Sequence, residues 1–376
     1  MLSLYIHIPY CVKKCLYCGF YSTHYDTAEA DAFVSALSSE ASTVQNDFDH
    51  QVFHAVYIGG GTPTVLSESQ IAGIGAMIKD RFRISEQAEF TVEANPNTVT
   101  ERILSLWRQQ GVNRLSLGVQ SFSDEVLRVL GRLHSAAQAQ EAFALARKAG
   151  FGNIGMDLIY GVPRQTPAQW DETLDSAVTS KPEHVSIYSL SFDEGSHFKR
   201  ESDAGRLQPA DDDVAADMYE HAAAKLMSAG FQRYEFSNFA LPGFECRHNM
   251  NYWNRGEYLG LGPGAWSFSK GRRSRAIADT HEYIRRLISG ESLAEEAEVP
   301  DPVQAARETI MLKLRTARGM DLQRFGEQYG KRFLDQLERK IAPLSAEGLL
   351  RMQGGRLVLT HRGILLSNEV FTRLST

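Results

Sequence analysis

The sequence predicts an α/β chain: a large domain built on a parallel sheet, then a smaller, mostly helical domain with a winged-helix-like hairpin. Three observations predict it. From Leu2 to about Lys181, short runs rich in Val, Ile, Leu and aromatics alternate with runs whose apolar residues recur at helical spacing. An acidic, proline-closed stretch, Gly290–Pro302, reads as a linker. Beyond it three helical runs precede a glycine-turned hairpin and a last helix.

The elements follow in order. Strands are expected at Leu2–Ile8, Val52–Ile58, Ala88–Glu93, Arg114–Val119, Asn153–Ile159 and His184–Leu190, each closed by Gly, Pro or polar residues. Helices are expected at Thr27–Gln45, Ser67–Asp80, Thr100–Gln110, Ser123–Leu130, Ala136–Ala149 and Pro167–Ser180, several opening on Ser or Thr caps. Such βα repeats leave an open doubly wound sheet or a barrel, and periodicity does not choose between them. In both, ligands sit at the carboxyl ends of the strands.

Later come a helix at Asp211–Ala229, opened by three aspartates, and a strand-like stretch at Gln232–Phe236. In the tail, helices are expected at Val303–Arg315, Leu322–Tyr329 and Phe333–Pro343, and hairpin strands at Leu349–Met352 and Arg356–Thr360.

A chain of 376 residues, 43% hydrophobic, exceeds one ordinary domain and can bury a substantial core. A net charge of −6 argues against a nucleic-acid-coating or membrane-adhering protein. Residues 301–376 are mildly basic, thirteen Lys and Arg against eight Asp and Glu, but these are scattered rather than gathered on one recognition helix, so no nucleic-acid partner is expected. No apolar run approaches the roughly 20 residues that span a bilayer, and the N-terminus lacks a basic segment followed by a hydrophobic one. With four cysteines and no disulfide framework, a cytoplasmic location is expected.

Three of those cysteines, Cys11, Cys15 and Cys18, fall in one loop after the first strand. Such spacing can wrap a cubane, giving three irons a thiolate each and leaving the fourth without a protein ligand. A zinc knuckle is the alternative; zinc usually takes four ligands in two separated pairs, and His7 would have to supply the fourth. The glycine-rich turn Gly59-Gly60-Gly61-Thr62-Pro63 after the second strand would let backbone approach a ligand closely, although such turns are often only turns. Glu93, Gln120 and Asp157 stand near the ends of the third, fourth and fifth strands. Singly each reads as a cap or turn residue; three at one rim point to a ligand, above all Asp157, whose carboxylate is flanked by Ile154, Met156, Leu158 and Ile159. Further on, Cys246-Arg-His248-Asn249-Met-Asn-Tyr252-Trp253 is dense in His and aromatics. From chemistry alone His248 reads as a packing residue and Cys246 as a buried thiol.

The cysteine spacing, followed by an aromatic, resembles the cluster loop of radical S-adenosylmethionine (SAM) enzymes. That resemblance implies a partial (β/α)6 barrel over 1–240, a [4Fe–4S] cluster on Cys11, Cys15 and Cys18, and SAM chelating the open iron. Gly60, Gly61 and Thr62 resemble the segment that binds the SAM amino group. Tyr5, Glu93, Gln120, Arg132 and Asp157 match SAM contacts in relatives of oxygen-independent coproporphyrinogen III oxidase (HemN).

His248-Asn-x-x-Tyr252-Trp253 resembles the motif of HemW-type haem chaperones, where the histidine is implicated in haem binding. This implies haem as cargo, haem-accepting proteins, an electron donor and contact with a membrane complex as partners, with 241–300 as haem-motif segment and linker and 301–376 as the C-terminal domain. The cluster loop and His248 come from opposite ends of the main domain's sequence and read as separate sites. The other reading is a radical enzyme, a coproporphyrinogen III decarboxylase or a methyltransferase. Against the oxidase stand Phe20, where its pattern has a further cysteine, and the absence of its N-terminal extension. Gly19 and Val12 depart from the acidic residue and proline common in HemW relatives.

Overall fold

A computed structural model describes residues 1–375. Its first part runs β1 (Leu2–Ile8), the short strands β2 (Tyr10–Cys11) and β3 (Thr23–His24), α1 (Thr27–Val44), β4 (Val52–Gly60), α2 (Glu68–Arg81), β5 (Arg83–Ala94), α3 (Glu101–Gln109), β6 (Arg114–Gln120), α4 (Asp124–Val129), α5 (Ala136–Lys148), β7 (Ile154–Tyr160), α6 (Pro167–Ser180) and β8 (His184–Ser189). Local chemistry sets several helix starts. Ser67, Ser135 and Thr166 open α2, α5 and α6 as capping boxes with Gln70, Gln138 and Gln169.

β1, β4, β5, β6, β7 and β8 lie side by side and parallel, forming the partial (β/α)6 barrel. Side chains alternate across these strands. Leu4, Ile6 and Ile8, like Ile154, Met156 and Leu158, are buried in the core, which also takes in Trp107 and Trp170. The other face of the same strands is polar: Tyr5 and His7, Glu93, Arg114 and Ser116, Asp157, His184 and Ser186. Parallel strands are usually apolar on both faces. A polar inner face therefore marks a lumen rather than a packed centre.

The chain continues through α7 (His197–Asp203), α8 (Asp212–Ser228), β9 (Gln232–Arg233), β10 (Asn238–Ala240), α9 (Arg247–Trp253), β11 (Tyr258–Leu261), β12 (Trp266–Ser269), β13 (Arg272–Ala276), α10 (Thr280–Ser289) and β14 (Ala294–Glu298). β11 pairs parallel with β1, β12, β13 and β14 extend that edge antiparallel, and β10 and β9 extend the β8 edge antiparallel, so a twelve-stranded sheet results. This corrects the expectation of a linker at Gly290–Pro302. Its acidic residues are the cross-strand partners of arginines: Glu296 and Glu298 pair with Arg275 and Arg273 at 2.9 and 2.6 Å. Residues 258–298 are thus part of the main sheet rather than a separate unit.

The tail comprises α11 (Pro302–Arg315), β15 (Met320–Asp321), α12 (Leu322–Tyr329), α13 (Lys331–Ala346), β16 (Leu350–Gln353), β17 (Arg356–Leu359), α14 (His361–Leu365) and α15 (Ser367–Ser375), with a small antiparallel sheet ordered β15-β17-β16. It is joined to the barrel through Arg315, whose guanidinium lies 5.6–5.7 Å from the rings of Phe236, Phe371 and Trp253. Among the described residues no helix is long and apolar enough to cross a membrane.

Candidate functional site

Beyond β1 the chain swings over the carboxyl ends of the barrel strands. Cys11, Cys15 and Cys18 line one cavity of about 410 Å³, together with Gly60, Gly61 and Thr62 from the turn after β4. That volume suits one drug-sized ligand. Glu93, Gln120, Arg132 and Asp157 line the same cavity, although Asp157 reaches it from the middle of β7 rather than from the strand end expected. Tyr5 is the exception. It sits lower on β1, its hydroxyl 3.0 Å from His7 Nδ1.

The thiols are set in a directed electrostatic environment. Arg132 Nη1 donates to Cys15 Sγ at 3.3 Å while Nη2 donates to Gly118 O at 2.7 Å, and Thr62 Oγ1 donates to Cys11 Sγ at 3.5 Å. Burial raises the Cys11 thiol and pushes Cys18 up to about 11, so metal binding here displaces protons. Among the described residues no three His, Cys, Asp or Glu side chains converge as a single-ion site requires. A cubane instead gives each thiolate its own iron, which fits this donor set. His7 is not a fourth ligand: Nδ1 is engaged by Tyr5 and Nε2 lies 2.9 Å from Tyr21 O, and burial holds the ring down to about 4.

Glu93 accepts from Tyr57 Oη at 2.8 Å and from the Gly60 amide at 3.0 Å, and burial pushes its carboxyl up to about 7. Asp157 is raised by burial as well, held by the Ser116 and Ser186 hydroxyls. Gln120 ends β6 with φ 66°, beyond a break in its register with β7 that turns its side chain to the cavity. The glycines of the turn also make room for neighbouring protein groups. A Cβ at Gly59 would meet the Glu93 carboxylate at 2.7 Å, and one at Gly60, where φ is +106°, would meet the His7 ring at 2.5 Å. Their lack of a side chain thus lets these protein groups pack close beside a turn whose Gly60 and Gly61 line the cavity.

Sequence reading missed Tyr57, Arg114, His184 and Ser186, which also line the cavity. The signal was available. Polar residues at every second position of otherwise apolar parallel strands, as in Arg114-Leu-Ser116 and His184-Val-Ser186, point into a lumen.

Against this wall packs α9. Glu89 of β5 caps its first turn, accepting from the Arg247 amide at 2.9 Å, the His248 amide at 3.4 Å and the Cys246 thiol at 3.4 Å. Cys246 is fully buried, as expected, and burial pushes it up to about 12. His248 is 2% exposed. Its ring stacks on Tyr57 at 4.8 Å and meets Tyr252 edge-on at 4.6 Å; burial holds it down to about 3, and Nδ1 has no hydrogen-bond partner among the described residues. The next residue, Asn249, lines the cavity floor. The two sites that read as separate in the sequence therefore share a wall.

A model of the radical SAM superfamily matches residues 5–177, and one of the HemN C-terminal domain matches 301–366. "Heme chaperone HemW" of Bacillus subtilis is 35% identical over 99% of this chain and 98% of its own length. The Mycobacterium tuberculosis protein of the same name is 36% identical over 99% of this chain and 94% of its own. The structure of coproporphyrinogen III oxidase (HemN) from Escherichia coli, described as a radical SAM enzyme, superposes with a TM-score of 0.88 at 24% identity, covering all of this chain and 90% of that one. That likeness shows the fold. With full-length relatives at this identity and a cavity built from three loop thiols, the chain belongs to the HemW family of the radical SAM superfamily.

Proposed function

We propose that this chain is a haem chaperone that carries a [4Fe–4S] cluster, binds SAM and passes haem to haem-accepting proteins. The observation that carries the reading is the convergence of Cys11, Cys15, Cys18, Arg132, Glu93, Gln120 and Asp157 on one cavity. A cluster held there would present an open iron to the amino acid portion of SAM. Asp157 and Glu93 are acceptors for ligand hydroxyl or amino groups, Gln120 and the backbone around Gly60–Thr62 offer further polar contacts, and Arg132 neutralises thiolate charge. His248 is the haem ligand, and its low basicity keeps the imidazole neutral, as metal ligation needs. Because it is buried, haem reaches it only when α9 moves off Tyr57. An electron donor and a membrane-associated haem acceptor complete the set of partners.

The full-length likeness of fold to HemN favours one second reading, a porphyrinogen-processing enzyme. One set of measurements separates the two. The reconstituted protein should bind haemin with a shifted Soret band and, given SAM, reductant and coproporphyrinogen III, form no protoporphyrinogen. Robust decarboxylation together with haem binding indifferent to His248 would promote the enzyme.

A further inference from the structure

Arg114 is the inner-face residue that begins β6, only 1% exposed, and its Nε and Nη1 have no hydrogen-bond partner among the described residues. A buried cation without a bonded anion is costly. The nearby carboxylates offset its charge from a distance but bond elsewhere: Asp157 to Ser116 and Ser186, Glu93 to Tyr57 and Gly60, Glu89 to the start of α9. His184 stands beside it. Its Nε2 is 2.8 Å from Tyr234 Oη, whereas its Nδ1 is buried and unpaired. Both residues face the space over Gly155, where an added Cβ would lie 3.2 Å from Arg114 Nη2 and 3.3 Å from His184 Nδ1. In the tautomer where Tyr234 donates to Nε2, Nδ1 carries the proton, and it and the Arg114 Nε and Nη1 are then buried donors without a protein acceptor on residues that line the cavity, packed together over Gly155.

We propose that Arg114 and His184 form a carboxylate-binding subsite deep in the barrel, for a carboxylate carried by a ligand entering the cavity. The chemistry favours a propionate of a tetrapyrrole; the methionine carboxylate of SAM, which the open iron at the cysteine loop would hold, is the alternative source that the test excludes. Only that choice rests on the proposed function.

The test uses the full chain, wild type and Arg114→Met, with an Arg114→Lys control. Acetate titrated at constant ionic strength should raise the Tm of wild type, because a ligand that binds the folded state stabilises it by mass action. It should leave Arg114→Met unmoved. In cluster-reconstituted protein, two matched pairs then identify the source: SAM against decarboxylated SAM, and haemin against its dimethyl ester. The variant should weaken the carboxylate-bearing member of one pair by about ten- to a hundredfold and its partner by less than about twofold, with Lys intermediate. An equal acetate response in wild type and variant, or equal losses within both pairs together with a lowered Tm, would make Arg114 structural and overturn the subsite. Wild type that binds neither SAM nor haemin defeats the proposed function instead, and the acetate result still decides this one.

Discussion

Tyr57 ties α9 to the cavity wall through one side chain: its ring stacks on His248 with planes 23° apart, and its hydroxyl donates to Glu93 on the cavity side at 2.8 Å. Whatever displaces His248 frees one face of that ring, and whatever occupies the cavity beside Glu93 acts on its other end.

Removing the His248 ring should therefore do two things that a ring replacement separates. His248→Ala should lower the haemin Soret shift and also cost about 1–3 kcal/mol of stability through the emptied stack. His248→Phe keeps an aromatic against Tyr57, so it should lose the Soret shift with a near-normal Tm. An unchanged Soret shift in His248→Phe rules out ligation by this residue.

The cluster makes the simplest demand. Anaerobic reconstitution should yield about four irons per chain, and alanine at Cys11, Cys15 or Cys18 should abolish it. Cys246→Ala should not, because that thiol is buried against Glu89 beneath α9. Iron and sulfide quantitation with the visible spectrum decides.

Asp157→Ala removes an acceptor already oriented by two serines. SAM affinity of the reconstituted protein should fall by about 1.5–3 kcal/mol if the lost hydrogen bond is charge-assisted. Equilibrium dialysis of a variant with normal circular dichroism measures it, and an undiminished affinity would make the carboxylate structural.

Gly60 is held at φ +106° with the His7 ring where a Cβ would go. Gly60→Ala should destabilise the chain by about 2–4 kcal/mol, combining backbone strain with a steric clash. Chemical denaturation measures this without any ligand.

Glu40 and Glu93 both have carboxyls pushed up to about 7 by burial. Between the ordinary carboxylate range near 4.5 and pH 7 the folded state keeps protons that the unfolded chain has lost, so stability falls as pH rises through that window. Tm measured from pH 5 to 8 should decline, and Glu40→Gln, which stays neutral against Tyr283 and Gly262, should flatten part of the decline.

Much of the barrel was legible because each strand is short, apolar on one face and closed by a turn residue, and because Ser67, Ser135 and Thr166 announce their helices. Glu93 and Gln120 were legible because they close their strands, and Asp157 because a carboxylate stood among apolar neighbours, in what proved to be the middle of β7. What escaped were relations between distant segments. Nothing near Glu296 and Glu298 reveals that Arg275 and Arg273 await them, so a strand read as a linker. Likewise the contact of Tyr57 with His248 depends on α9 folding back under the lumen, which no local period encodes.

The pairing of β1 with β11 has a consequence for the order of synthesis. Ser3 faces Tyr258 and Ile6 faces Leu261 in a parallel ladder, so the strand that leads into the cysteine loop keeps one bare edge until more than two thirds of the polypeptide has been made. Closing so long a loop is slow. A ribosome-bound chain halted before Tyr258 presents an unpaired apolar strand beside its three thiols. The nascent chain is therefore most exposed to aggregation and to thiol oxidation before β11 covers that edge.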